Sequence, residues 1–281
     1  MKWQVLGSSV RGTSHVRAEL PCQDAHEYRF LSDERLIMAV ADGLGSATHS
    51  EEGAKTAIKA ALDSLEQSLS SESISNPEEW NEILKQAFSC AVQKLQEIAA
   101  GAGIALREYG TTLMVAAVQN DWLAVGHLGD GAIVAMLSNG EMKTISAPQR
   151  GEYANEVMPL TGHGALESVR FTTRQNEFDA LALLTDGLQN LCIQSQTDEP
   201  YTQFFAPFFD AIQKILDVEE TSIKLTEFLN SERVNSKTDD DKTLVIVGRF
   251  NPLTKLKADL NTMQKLKGVI WQYIQPQKNN Q

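Results

Sequence analysis

Two long stretches with helical spacing stand between blocks of short strand-like runs, and that order limits the folds open to this chain. Over residues 50–69, Ala54, Ala57, Ile58, Ala61, Leu62 and Leu65 recur three and four apart and share one face. A Ser/Glu-rich break, "SLSSESISNP", ends this helix. Asn76, Pro77 and Glu79 start a second, which continues as "EWNEILKQAFSCAVQKLQEIAA" to the break at Gly101 and Gly103. Before the pair, "WQVLGSSV", "HEYRFL" and "RLIMAVAD" carry β-branched and apolar residues between turn-like clusters. After it come "GTTLMVAAV", "DWLAVGHLGD", "GAIVAMLS" and "EMKTISA", divided by "QN", "GDG" and "SNG", which is the signature of an antiparallel meander. Beyond a poorly periodic stretch from about 148 to 167, "SVRFTTRQ" and "FDALALLTD" read as strands, helices are expected at 187–193, 201–216 and 220–231, and "KTLVIVGRF" is the final strand. This is an α+β pattern, in which antiparallel sheets carry helices on their outer faces.

No internal repeat and no linker interrupts residues 1–252, so they read as one domain, and 281 residues at 42% hydrophobic content bury a substantial core. Pro252 begins a tail, residues 253–281, with a short amphipathic helical reading and a polar end. It reads as an appended helix packed on the body, or as a partner-docking segment. With 37 acidic residues against 25 basic ones the formal charge is -12, a field that repels nucleic acid and anionic membrane surfaces. The amino terminus lacks the apolar core of a signal peptide, and no run approaches the roughly 20 apolar residues that span a bilayer. Cys22, Cys90 and Cys192 are odd in number and widely spaced, which argues against a disulfide framework or a structural zinc site and for a reducing, cytoplasmic home.

Carboxylates gather at the strand ends. Asp42 follows "IMAVA" and precedes "GLGS"; Asp186 follows "ALALLT" and precedes "GL"; Asp24 follows "PCQ"; Asp240 and Asp241 precede "KTLVIV"; Asp130 lies in "VGHLGDGAIV". Oxygen donors without cysteine and with little histidine suit hard cations such as magnesium or manganese, which keep several waters. Taken singly, an Asp before Gly is most often a turn residue. Several such ends on one face would make a site.

In order along the chain, "QDA", "ADGLGS", "GTTLMVA", "GHLGDGAIV", "LLTDGL" and "DDDKTLVIV" resemble the successive motifs of the metal-dependent protein phosphatases of type 2C, over residues 7 to about 250. "GSSVRGTSH" and "PCQDA" are most similar to a bacterial branch of that family. The resemblance implies an αββα sandwich of two antiparallel sheets, with a two-metal centre of Mn2+ or Mg2+ at one edge. It implies that Asp42 bridges the metals, that the Gly43 carbonyl, Asp186 and Asp240 are further ligands, that Asp24 holds metal through water, and that Asp130 serves a third, weaker metal. It implies hydrolysis of phosphoserine and phosphothreonine in proteins by a water that the two cations share, with a serine/threonine kinase acting in opposition. Asp42, Asp186 and Asp240 are then the residues on which catalysis depends.

The chain also departs from that pattern. Where the family commonly has an arginine gripping the substrate phosphate, five residues before the first motif aspartate, this sequence has Glu19; His15 and Arg17 are the phosphate-binding candidates, with Arg11 further off. Leu44 stands where some members carry a histidine thought to protonate the leaving group, and His49 is the nearest histidine in that loop. Asn190 replaces an acid, and Asp241 replaces the usual Asn after the last aspartate; Asp241 either adds negative charge behind the centre or caps the final strand. Two other functions stay open at this point: a catalytically weak homologue acting as a binding or regulatory module, and a hydrolase of small phosphate esters.

Overall fold

The computed structural model of the chain describes residues 2–32, 34–70, 74–149, 157–175, 178–215 and 217–250. Strand β1 (Lys2–Val10) leads into a five-residue helix, α1 (Thr13–Arg17), and then the hairpin β2 (Ala25–Ser32) and β3 (Arg35–Ala41). Helices α2 (Ser50–Leu69) and α3 (Pro77–Ala102) follow, then a short 3-10 turn at Leu106–Tyr109. Next come β4 (Leu113–Gln119), β5 (Trp122–Leu128), β6 (Ala132–Leu137), β7 (Met142–Ser146), α4 (Ala165–Ser168), β8 (Arg170–Gln175) and β9 (Phe178–Leu184). A 3-10 turn at Asp186–Leu188 precedes α5 (Gln189–Cys192), α6 (Thr202–Ile212), α7 (Val218–Leu229), α8 (Glu232–Asn235) and β10 (Lys242–Phe250).

The strands form two antiparallel sheets, ordered β1-β10-β9-β6-β7 and β2-β3-β4-β5-β8. Alternation along each strand decides what each face buries. In β3, Ile37, Ala39 and Ala41 face α2 and α3, whereas Leu36, Met38 and Val40 face the other sheet. In β10, Val245 and Val247 join the layer between the sheets, and Leu244 and Ile246 pack with Phe205, Phe209 and Ile212 of α6. The result is an αββα sandwich with three buried layers, the architecture expected from the motifs.

The capping signals act as read. Asn76 accepts from the Glu79 N–H at 2.9 Å with Pro77 in the first turn, and Gly103 closes α3 at φ 68°. The meander is corrected: β4 and β5 form one hairpin in one sheet, and β6 and β7 form another in the opposite sheet. "GDG" at 129–131 is therefore the crossing between sheets, and β6 pairs with β9 rather than β5. That crossing carries Asp130 to the edge where both sheets end. β10 ends at Phe250; the tail 253–281 lies outside the described residues, as does most of the middle of the 148–167 stretch.

Candidate metal centre

The acids named from the sequence stand at one end of the sandwich. Asp42 leaves β3 and Asp24 enters β2 of one sheet, Asp186 leaves β9 and Asp240 precedes β10 of the other, and Asp130 lies between β5 and β6. Asp42, Asp130 and Asp186 each offer a carboxylate oxygen, and these atoms lie within 4.8 Å of one another. Asp240 stands outside that group on the exposed rim, where its Oδ1 accepts the Asp241 N–H at 2.8 Å.

The Asp-Gly steps have a packing reason. A Cβ at Gly43 would lie 2.8 Å from the Ser50 carbonyl oxygen and 2.9 Å from that of Gln23, and one at Gly187 would collide with the carbonyl oxygen of Asp241. Glycine lets one acid-bearing loop nest on the backbone of the next. Thr111 and Thr112 secure the Asp42 backbone: the Asp42 N–H donates to Thr112 Oγ1 at 2.9 Å, the Thr112 N–H returns to the Asp42 carbonyl at 2.8 Å, and the Thr111 hydroxyl donates to that carbonyl at 3.0 Å.

Asp24 lies beneath the group, 4% exposed. Its Oδ2 accepts the hydroxyls of Thr185 and Thr243, both at 2.8 Å, so the acid is gripped by the sheet opposite its own. The chain of polar groups continues: Thr243 meets Ser9 Oγ at 2.7 Å, and Ser9 meets His26 Nδ1 at 2.8 Å. Ser9 thus bridges Thr243 and His26 behind the acid. Thr185 and Thr243 escaped the sequence reading, although each adjoins a motif acid in "LLTDGL" and "DDDKTLVIV".

These carboxylates strain one another. Burial first, and then the charges of Asp24, Asp186, Asp130 and Asp240, holds the Asp42 carboxyl well above the usual carboxylate range. Burial lifts Asp24 to about 8 against the opposing Thr185 and Thr243 hydrogen bonds, with Asp241 and Asp186 adding to the rise. Asp130 rises to about 7 through burial and then Asp186, and Asp186 is raised by burial and then Asp240. Among the described residues no cationic side chain pairs with Asp24, Asp42, Asp130 or Asp186, and Asp24 Oδ1 is buried without a protein partner. Packed acids with a free buried oxygen and an all-oxygen donor set fit a hard divalent cation.

The phosphate candidates lie on α1, beside the 239–241 loop. His15 Nδ1 is 2.9 Å from Asp241 Oδ2, and Arg17 is exposed and pairs with Asp239 at 3.0 Å. Arg11 donates to the Leu20 carbonyl at 3.1 Å. His49 stacks on Tyr109 with ring centroids 5.2 Å apart at the start of α2, and Asn190 is exposed on α5. The cysteines are free; burial, then Asp24 and Asp241, pushes the Cys22 thiol far up, and burial does the same at Cys192. Among the described residues no helix is long and apolar enough to cross a membrane.

A family model described as "Protein phosphatase 2C" matches residues 11–230. The chain is 32% identical over 255 residues to "Serine/threonine-protein phosphatase 3" of Escherichia coli (strain K12), covering 88% of this chain and 98% of that one. Among solved structures it is similar to the serine/threonine phosphatase Stp1 from Staphylococcus aureus, at TM-score 0.61 and 14% identity, covering 89% of this chain and 96% of the other. The S. agalactiae serine/threonine phosphatase superposes with TM-score 0.61 at 16% identity, covering 88% and 99%.

Proposed function

The chain belongs to the protein phosphatase 2C family and is a metal-dependent protein serine/threonine phosphatase; from that premise we propose that its acid cluster holds two divalent cations, Mn2+ or Mg2+, at the edge of the sandwich. Bound there, the cations supply a water that is nucleophilic at neutral pH and neutralise charge on the phosphoryl oxygens. Asp42 is the shared ligand, with the Gly43 carbonyl, Asp186 and Asp240 completing the protein donors. Asp24 acts through water from its free Oδ1, and Asp130 serves a third, weaker site. The observation that carries this reading is the convergence of Asp42, Asp130 and Asp186 within 4.8 Å, each half-buried and, among the described residues, without a cationic partner.

The remaining residues orient the substrate. His15 and Arg17 receive the phosphate of a phosphoserine or phosphothreonine, and of the two His15 is the more buried. A covalent thiol route has no support, because Cys22 and Cys192 resist ionisation. We assign phosphorylated proteins as substrates, supplied by a serine/threonine kinase, and a reducing cytoplasmic setting that suits three free cysteines.

Asp42→Ala or Asp186→Ala should lower turnover of a phosphopeptide by at least about 100-fold while circular dichroism shows the fold intact. Near wild-type rates at saturating Mn2+ would remove the assignment. Assaying p-nitrophenyl phosphate beside a phosphothreonine peptide separates a protein phosphatase from a small-ester hydrolase, and metal binding without either activity would favour a binding module.

A further inference from the structure

Helix α1 is short, and the loop of consecutive acids before β10 is what holds it. The Ser14 N–H and hydroxyl both donate to the Asp239 carbonyl, at 2.9 and 2.6 Å, and Arg17 reaches the Asp239 carboxylate. The Gly12 N–H donates to Asp241 Oδ1 at 2.6 Å, the Gln23 N–H donates to Oδ2 at 2.6 Å, and His15 Nδ1 lies 2.9 Å from the same Oδ2. Asp241 is 2% exposed. Both of its oxygens are taken by nitrogen donors, so it is turned away from the cation cluster although its neighbour Asp240 stands on the rim. A carboxylate serves two backbone N–H groups at once; an amide would face one of them with its own donor. Lys242, beside it, is engaged with Asn235 Oδ1 at 2.9 Å and the Asp240 carbonyl at 3.3 Å.

We propose that Asp241 is a positioning residue for substrate binding: through the Gly12 and Gln23 N–H groups it seats the 12–23 segment, and with it the His15 ring that lies against its Oδ2, beside the metal-bearing loop. This rests on His15 being a phosphate contact. It gives the acid that replaces the usual asparagine a task separate from metal ligation. The effect belongs to KM, because the carboxylate acts through a residue that touches substrate rather than through the cations.

The test is a double-mutant cycle on the full chain at saturating Mn2+ with a phosphothreonine peptide. His15→Ala and Asp241→Asn should each raise KM about 10-fold and leave kcat within about twofold, and the double variant should be no worse than either single one. If Asp241→Asn raises KM by the same factor in the His15→Ala background, or if His15→Ala leaves KM unmoved, the proposal is overturned, while the dependence of turnover on Asp42 would be untouched. Where Asp241→Asn does not fold, the His15 ring signals of the wild-type protein titrated with inorganic phosphate at saturating Mg2+ decide: a shift of those signals supports the proposal, and signals that do not move overturn it. Failure of the phosphatase reading itself would look different, as no Mn2+-dependent turnover in the wild-type chain.

Discussion

Gly187 lies so close to the carbonyl oxygen of Asp241 that the gap holds no Cβ, and the loops bearing Asp186 and Asp240 are thereby pressed together. Gly187→Ala must push them apart. The strain should cost about 3 kcal/mol, lowering Tm by roughly 6–12 °C in a domain of this size. An unchanged thermal melt would mean that the two loops slide freely.

Removing a charge from the cluster should help the metal-free protein and harm the loaded one. In chelator at pH 9, Asp42→Asn should melt at or above wild type, because the buried carboxylate it replaces is opposed by four neighbouring acids. With saturating Mn2+ the order should reverse. Differential scanning calorimetry in both conditions checks this, and a variant less stable in both would contradict it.

Stability without metal should fall as pH rises. Asp24 and Asp130 hold their protons up to about 8 and about 7 when folded, far above the unfolded value of 3.8, so their contribution is complete below that value and is lost progressively as pH rises from there through 7 and 8. His127 is buried and lowered to about 3, so its effect runs the other way below the unfolded value of 6.5, but one such group only partly offsets the two acids. In chelator, Tm should therefore fall from about pH 5 to about pH 8 and level off above. Saturating Mn2+ or Mg2+ should flatten that fall; a melt unaffected by pH over this range in chelator would speak against this cluster.

Thr243→Val keeps the shape of the side chain and removes the donor that links Asp24 to Ser9. The buried carboxylate loses one of its two hydroxyl partners, for about 1–3 kcal/mol in stability and about 10- to 100-fold in cation affinity. Isothermal titration with Mn2+ measures the second effect. Wild-type affinity would show that Thr185 alone suffices.

Thiol reagents should not inactivate the enzyme. With the Cys22 and Cys192 thiols pushed up by burial, N-ethylmaleimide at pH 7.5 should leave phosphopeptide turnover within about twofold of untreated protein. Stoichiometric loss of activity on labelling Cys22 would place the thiol in the reaction.

Elements with a clear period were readable from the chain. α2, α3 and the ten strands among the described residues stand where alternation or helical spacing put them, because each buries a face long enough to leave a pattern. "GDG" misled because a glycine-rich step looks the same whether the next strand folds back or changes sheet; only the distant partner β9 decides that β6 leaves. α1 and α8 are too short for any period, and α1 exists through its contacts with Asp239 and Asp241, more than 200 residues away. The acids were readable because each ends or begins a strand. Which way Asp240 and Asp241 point was not, since neighbours in an extended chain face opposite ways and only the packed segment 12–23 reveals which one is buried.

β1 pairs with β10 along its whole length, Val10 opposite Lys242 beside the acids and Lys2 opposite Phe250 at the far pole. Lys2 and Phe250 thus lie together at the pole away from the acids. A tag joined before Lys2 starts from that pole, and the neighbouring strand ends make the body a natural candidate for circular permutation.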